Sequence, residues 1–209
     1  MFKKFVLFVS CWVALGAAAQ PVLVVYGDSL SAGYGLPQGK GWVDLLVDRL
    51  RAEQLDYRVV NASVSGETTL GGANRMANML AQHRPVIVVI ELGGNDGLRG
   101  LSLSATRMSL EKMVQAAASA GAQPLLVGMQ LPPNYGTAYT EKFQALFKEV
   151  ARERKVPLVP FMLAGFGEKR DYFQPDGIHP TVEAQPLILD NIWPVLRPLL
   201  RRPHERSDH

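Results

Sequence analysis

Val22-Leu23-Val24-Val25-Tyr26 runs directly into Gly27-Asp28-Ser29-Leu30-Ser31, and this junction sets the reading of the whole chain. Five consecutive apolar residues without polar alternation suit a short strand covered on both faces, as in a parallel sheet. The Gly-Asp-Ser that follows is turn chemistry. Outward from this point the pattern repeats. Short apolar runs occur at 57–60, 86–92, 124–129 and 156–160, and longer segments with helical spacing lie between them. Trp42, Leu45, Leu46 and Leu50 share one face, as do Leu110, Met113, Val114 and Ala117. Phe143, Leu146, Phe147 and Val150 form a third such stripe. Gly121 suits a helix C-terminus, and Pro124 stops that helix from continuing. A last helix over about 182–200 holds Pro186 in its first turn, while Pro194 should kink or shorten it. Strand and helix alternate five times with no linker-like break and no internal repeat. That predicts one α/β domain, a three-layer αβα sandwich around a five-stranded parallel sheet.

Composition narrows the class of molecule. Of 209 residues, 47% are hydrophobic, enough for a core, which excludes a disordered chain. Cys11 has no partner cysteine, which excludes an internal disulfide framework. No apolar stretch reaches the roughly 18 residues of a spanning helix, which excludes a polytopic membrane protein. Residues 1–19 read as an export signal. Lys3 and Lys4 precede an apolar run from Phe5 to Leu15, and Gly16-Ala17-Ala18-Ala19 offers the small residues a signal peptidase needs. Cleavage after Ala19 is expected, rather than lipid attachment at Cys11. Loss of Lys3 and Lys4 takes 22 Lys+Arg to 20 against 19 Asp+Glu, so the net charge falls from +3 to +1. The basic balance then carries no sign of nucleic-acid binding. The expected product is a periplasmic or secreted, cysteine-free domain over 20–200, without stable membrane insertion, followed by a polar tail at 201–209.

In a parallel α/β sheet, ligands bind beyond the carboxyl ends of the strands, so chemistry is sought in the loops there. After the first strand, Ser29 stands where a nucleophile on a tight turn would stand, or where a turn or helix cap would place a serine. After the second, Gly66 lets backbone approach a ligand and present an N–H to an oxyanion, or is simply a flexible loop glycine. After the third, Gly93-Gly94-Asn95-Asp96-Gly97 offers the Asn95 amide as a donor, or makes an ordinary turn. Beyond the fifth, Asp176-Gly177-Ile178-His179-Pro180 puts an acid three residues before a histidine. At that spacing the carboxylate can hold the imidazole Nδ1–H. The plain alternative is a surface turn before a helix capped by Thr181. Each motif alone has its plain reading; their convergence on one edge of one sheet has none.

In each of these blocks the residues resemble the SGNH, or GDSL, hydrolase family, over about residues 22–196. The Ser, Gly, Asn and His of that name match Ser29, Gly66, Asn95 and His179, with Asp176 as the acid. The longer strings Gly27-Asp28-Ser29-Leu30-Ser31-Ala32-Gly33-Tyr34, Glu91-Leu92-Gly93-Gly94-Asn95-Asp96-Gly97-Leu98-Arg99-Gly100 and Leu131-Pro132-Pro133-Asn134-Tyr135-Gly136 are similar to its exported bacterial branch of thioesterases, proteases, lysophospholipases and arylesterases. The resemblance implies a flavodoxin-like sandwich and a serine esterase or thioesterase acting on aryl esters, acyl-CoA or lysophospholipids, with no cofactor and no metal. Ser29 would attack, His179 would serve as base and then acid, and Asp176 would orient it. The N–H groups of Ser29 and Gly66 and the Asn95 amide would receive the oxyanion. Leu131, Pro132, Pro133, Asn134 and Tyr135 would border the acyl groove, with 72–79 and 162–173 either further walls or ordinary packing. Asp28 reads as a turn-fixing residue bonded to nearby backbone, not as the triad acid. The rivals are a carbohydrate O-deacetylase of the same fold and a non-catalytic periplasmic ligand-binding protein. The presence of both Ser29 and His179 disfavours the second.

Other signals fail on their own chemistry. Gly33-Tyr34-Gly35-Leu36-Pro37-Gln38-Gly39 misplaces the third glycine of a dinucleotide fingerprint, and Gly39-Lys40-Gly41 lacks the Ser or Thr of a phosphate loop. No G-x-S-x-G occurs. His83, His179, His204 and His209 show no zinc-like spacing. His83, beside Arg84 and Pro85, reads as a helix end.

Overall fold

The computed structural model describes residues 20–200; the expected export signal with Cys11, and the tail with His204 and His209, lie outside the described residues. Five strands, β1 (Val22–Gly27), β2 (Arg58–Asn61), β3 (Ile87–Glu91), β4 (Gln123–Val127) and β5 (Leu158–Val159), pair in parallel in the order β2-β1-β3-β4-β5. This is the flavodoxin-like order, whose switch point lies between β1 and β3. Every residue of β1 and β3 is buried, which is why their sequences show no polar alternation. The apolar run at 156–160 contributes only two strand residues. Pro157 and Pro160 have no N–H to give to a ladder. The edge is held instead through carbonyls, Leu126 N–H donating to Pro157 O (3.0 Å) and Gly128 N–H to Val159 O (2.8 Å).

The helices are α1 (Ser29–Ala32), α2 (Trp42–Ala52), α3 (Thr69–His83), α4 (Gly94–Leu98), α5 (Leu103–Ser119), α6 (Thr137–Arg154) and α7 (Gln185–Leu196). Helices α3, α5 and α6 pack side by side, and α2 packs against α7. Right-handed crossovers out from the switch point put these two groups on opposite faces of the sheet. The expected stripes of α2, α5 and α6 are buried, apart from the half-buried Leu45. The Phe143 and Phe147 rings meet edge to face at 5.3 Å. Gly121, at φ +81°, follows the cap of α5 as expected. The last helix is shorter than its sequence suggests. Ala184 rather than Thr181 stands at its N-cap, and it passes through Pro194 to end at Leu196 before a 3-10 turn at Arg197–Leu199. Pro194 and Pro198 withhold two backbone donors there. In the segments 72–79 and 162–173, Gly72, Ala73, Met76, Met79, Met162, Leu163 and Phe166 are buried packing, while much of 164–171 is exposed. A Cβ on Gly72 would stand 2.4 Å from Leu92 Cδ1, so helix α3 lies close against the end of β3. Among the described residues no helix is long and apolar enough to cross a membrane.

Candidate active site

At the carboxyl edge of the sheet, β1 passes straight into α1. Asp28 is the N-cap, and its Oδ1 accepts the Leu30 N–H at 3.0 Å. Ser29 is the next residue, so the capping and nucleophile readings of Gly-Asp-Ser hold together. The loop after β5 brings His179 across to it. His179 Nε2 lies 2.9 Å from Ser29 Oγ, and Nδ1 lies 2.7 Å from Asp176 Oδ2. A carboxylate can only accept, so Nδ1 carries the ring proton and Nε2 is left to accept from the serine hydroxyl. The second Asp176 oxygen accepts the N–H groups of Ile178 (2.9 Å) and His179 (3.0 Å). Desolvation pushes the Asp176 carboxyl up. Hydrogen bonds from the His179 ring and from the two N–H groups outweigh it and hold the carboxyl at about 2. The Tyr34 ring covers the imidazole, with centroids 4.5 Å apart.

The expected donors stand around the same serine. Asn95, in α4, spends one amide proton on Asp28 Oδ2 at 2.9 Å, so Asp28 both caps α1 and aims Asn95. Gly66 has φ +78°, a conformation that favours glycine, and its carbonyl accepts from Arg99 at 3.0 Å. Neither the Ser29 nor the Gly66 N–H donates to an acceptor among the described residues. Buried Asp96 bolts α4 to the start of α3, accepting from Thr69 N–H (2.8 Å) and Thr69 Oγ (2.5 Å). The loop Leu131, Pro132, Pro133, Asn134 and Tyr135 stands against α4. Tyr135 donates to Leu98 O at 3.2 Å, and a Cβ on Gly97 would fall 2.7 Å from Leu131 Cδ2. No hydrogen bond ties these five residues to Ser29 or His179.

Under the nucleophile lies a group that motif reading missed. Glu91 is fully buried, and the parallel register sets it beside Gly27. Its Oε2 accepts from Ser31 Oγ at 2.6 Å and from Asp28 N–H at 3.3 Å, while Oε1 is buried without a partner. A Cβ on Gly27 would sit 2.5 Å from Oε2, so the glycine makes room for the acid. Burial, and then the neighbouring Asp28, push Glu91 well above the usual carboxylate range. Burial pushes Asp28 up too, against hydrogen bonds from Leu30 and Asn95. Two buried acids this close disfavour each other's ionisation, and Glu91, the more deeply buried of the two, is the one pushed further towards its protonated form. An acid closing an otherwise apolar run was the available signal. Among the described residues no three His, Cys, Asp or Glu side chains gather as a metal site would require.

The arrangement can carry out acyl transfer, and comparison with known proteins agrees. Residues 25–186 match the GDSL-like Lipase/Acylhydrolase family. The chain is 53% identical over 184 residues to "Esterase TesA" of Pseudomonas aeruginosa, covering 88% of this chain and 91% of that protein. It is 44% identical over 184 residues to "Thioesterase 1/protease 1/lysophospholipase L1" of Escherichia coli, covering 88% and 87%. The crystal structure of the psychrotrophic esterase EstA from Pseudoalteromonas sp., inhibited by monoethylphosphonate, superposes with a TM-score of 0.81 at 39% identity, covering 85% of this chain and 97% of that one. With the match running from β1 to the start of α7, the chain belongs to the GDSL-like lipase/acylhydrolase family and is a serine hydrolase that cleaves esters.

Proposed function

We propose that this is an exported esterase and thioesterase that works through an acyl-enzyme on Ser29. His179 Nε2 takes the hydroxyl proton as Ser29 Oγ bonds to the acyl carbon. Asp176 keeps the ring oriented and stabilises the imidazolium that forms. The oxyanion is received by the Ser29 and Gly66 N–H groups and by the remaining amide proton of Asn95. Collapse breaks the bond to the alcohol or thiol, which leaves with the proton from His179. Water then repeats the sequence on the acyl-enzyme and frees Ser29. The observation that carries this reading is the unbroken relay of 2.9 Å from Ser29 to His179 and 2.7 Å from His179 to Asp176.

Acyl esters and thioesters, lysophospholipids among them, are the proposed substrates, supported by the names borne by the Pseudomonas and Escherichia relatives. The loop of Leu131, Pro132, Pro133, Asn134 and Tyr135 is the proposed border of the acyl groove. Its position against α4, which carries Asn95, supports that role. Residues 1–19 are the proposed export signal, and 20–200 the periplasmic hydrolase domain. The test uses the chain purified from Gln20 onward, p-nitrophenyl butyrate and a fluorophosphonate probe. Ser29→Ala is expected to abolish both turnover and labelling. Hydrolysis retained in that variant overturns the proposal.

A further inference from the structure

The catalytic pair depends on two loops that are far apart in sequence, and one side chain joins them. Gln174 sits five residues before His179. Its amide Nε2 donates to Tyr34 O at 2.9 Å and to Pro180 O at 3.1 Å, so both amide protons are spent on carbonyls of different loops. Each carbonyl leads to a reacting residue. Tyr34 N–H donates to Ser29 O at 3.1 Å, and the Tyr34 ring lies on the His179 imidazole. On the other side Pro180 follows His179 directly, and Gln174 N–H donates to His179 O at 2.7 Å. The backbone beneath the amide is braced in turn. Arg170 donates to Gln174 O (2.6 Å), Pro175 O (2.7 Å) and Phe173 O (3.3 Å). The chain opposite leaves room for it, since a Cβ on Gly35 would fall 2.2 Å from Gln174 Oε1, and Gly35 has φ +72°.

We propose that Gln174 is a positioning residue, whose two-donor amide sets the separation of His179 Nε2 from Ser29 Oγ by tying the Tyr34 loop to the Pro180 loop. The proposal rests on the Ser29–His179 reading above. Among side chains of this shape, only the primary amide supplies both donors. A carboxylate of the same shape turns two attractions into two repulsions between oxygens, and a shorter or apolar side chain spans neither gap.

The experiment compares Gln174→Glu and Gln174→Ala with the wild-type protein at 25 °C, each first shown to be folded by circular dichroism, using p-nitrophenyl butyrate and the rate of fluorophosphonate labelling. Loss of two hydrogen bonds predicts a fall in kcat of about 10- to 30-fold. KM is expected within about twofold, and the labelling rate should fall by the same factor as kcat, because both need the serine and histidine in register. The Gln174→Glu deficit relative to wild type at the same pH should narrow towards pH 5, as the new carboxyl gains a proton and with it one donor. Gly35→Ala, which displaces the same amide from the opposite side, should lower kcat in the same way. Unchanged kcat and labelling rate in the folded Gln174→Glu protein, with only the melting temperature lowered, would make the bridge a structural strut and overturn the proposal. Retained turnover in Ser29→Ala would instead remove the underlying reading, so the two failures are separable.

Discussion

Replacing Glu91 by Gln separates the shape of this side chain from its charge. The amide keeps an oxygen where Oε2 accepts from Ser31 Oγ (2.6 Å) and Asp28 N–H (3.3 Å), and puts an NH₂ where Oε1 has no partner. If Glu91 is a neutral acid, the exchange costs no more than about 1 kcal/mol at neutral pH, the scale of one hydrogen bond. Glu91→Ala leaves both donors buried and unpaired, at about 1–3 kcal/mol each. For a domain of this size that lowers the melting temperature by roughly 5–20 °C. The pH dependence gives the sharper test. Glu91 is held well above its usual value of 4.5. Between those two values the native protein keeps a proton that the unfolded chain has released, so wild-type stability falls as pH rises through the window. The Gln variant lacks that contribution, so its stability relative to wild type should improve from pH 5 to pH 8. Asp28, also raised, gives a slope of the same sign in both proteins. Thermal melts followed by circular dichroism across that range measure the effect. A Gln variant as damaged as the Ala variant, and worse at pH 8 than at pH 5, would mean that Glu91 is ionised in the fold and would refute the reasoning.

Two further predictions concern the edges of the site. Asn95→Ala should lower kcat on p-nitrophenyl butyrate by about 10²–10³ with KM little changed, because the donor acts on charge that develops in the transition state; an unchanged kcat removes Asn95 from the proposed oxyanion hole. Gly97→Ala places a methyl 2.7 Å from Leu131 Cδ2 and 2.8 Å from Phe143 Cε2, overpacking expected to cost about 1–3 kcal/mol in a denaturant melt. The push should also shift the Leu131 loop and raise KM more for long acyl esters than for butyrate. Equal KM changes across chain lengths would detach that loop from the acyl groove.

Much of the fold was legible because its signals are local. A run such as 22–26 cannot be covered on both faces without being apolar throughout, and the stripes of α2, α5 and α6 follow from 3.6 residues per turn. The boundaries that slipped lie where proline removes donors, at β5 and at both ends of the last helix. Ser29, Asp176 and His179 were legible as candidates because a serine stands on the tight turn after a buried strand and Asp176 lies within a single turn of His179, while their roles followed from the resemblance to the SGNH family. Asp28 was expected to bond nearby backbone and does so at Leu30, but its hold on Asn95 spans 67 residues, and no local pattern announces it. The spacings 60 for Ser31 with Glu91 and 140 for Tyr34 with Gln174 are of the same kind.

By itself, then, the sequence determined the alternation of strand and helix, the buried faces, and which loops carry nucleophile, base, acid and donor candidates, because these depend on periodicity and turn chemistry within a few residues. Tertiary structure alone decided what those candidates face. The parallel register puts Glu91 beside Gly27, which has no Cβ to block it. The crossing of two remote loops puts His179 2.9 Å from Ser29, with the Gln174 amide between their backbones. Burial and partner geometry arise only when distant segments pack, and they set which carboxyl is ionised, which N–H is free and how far a proton must travel.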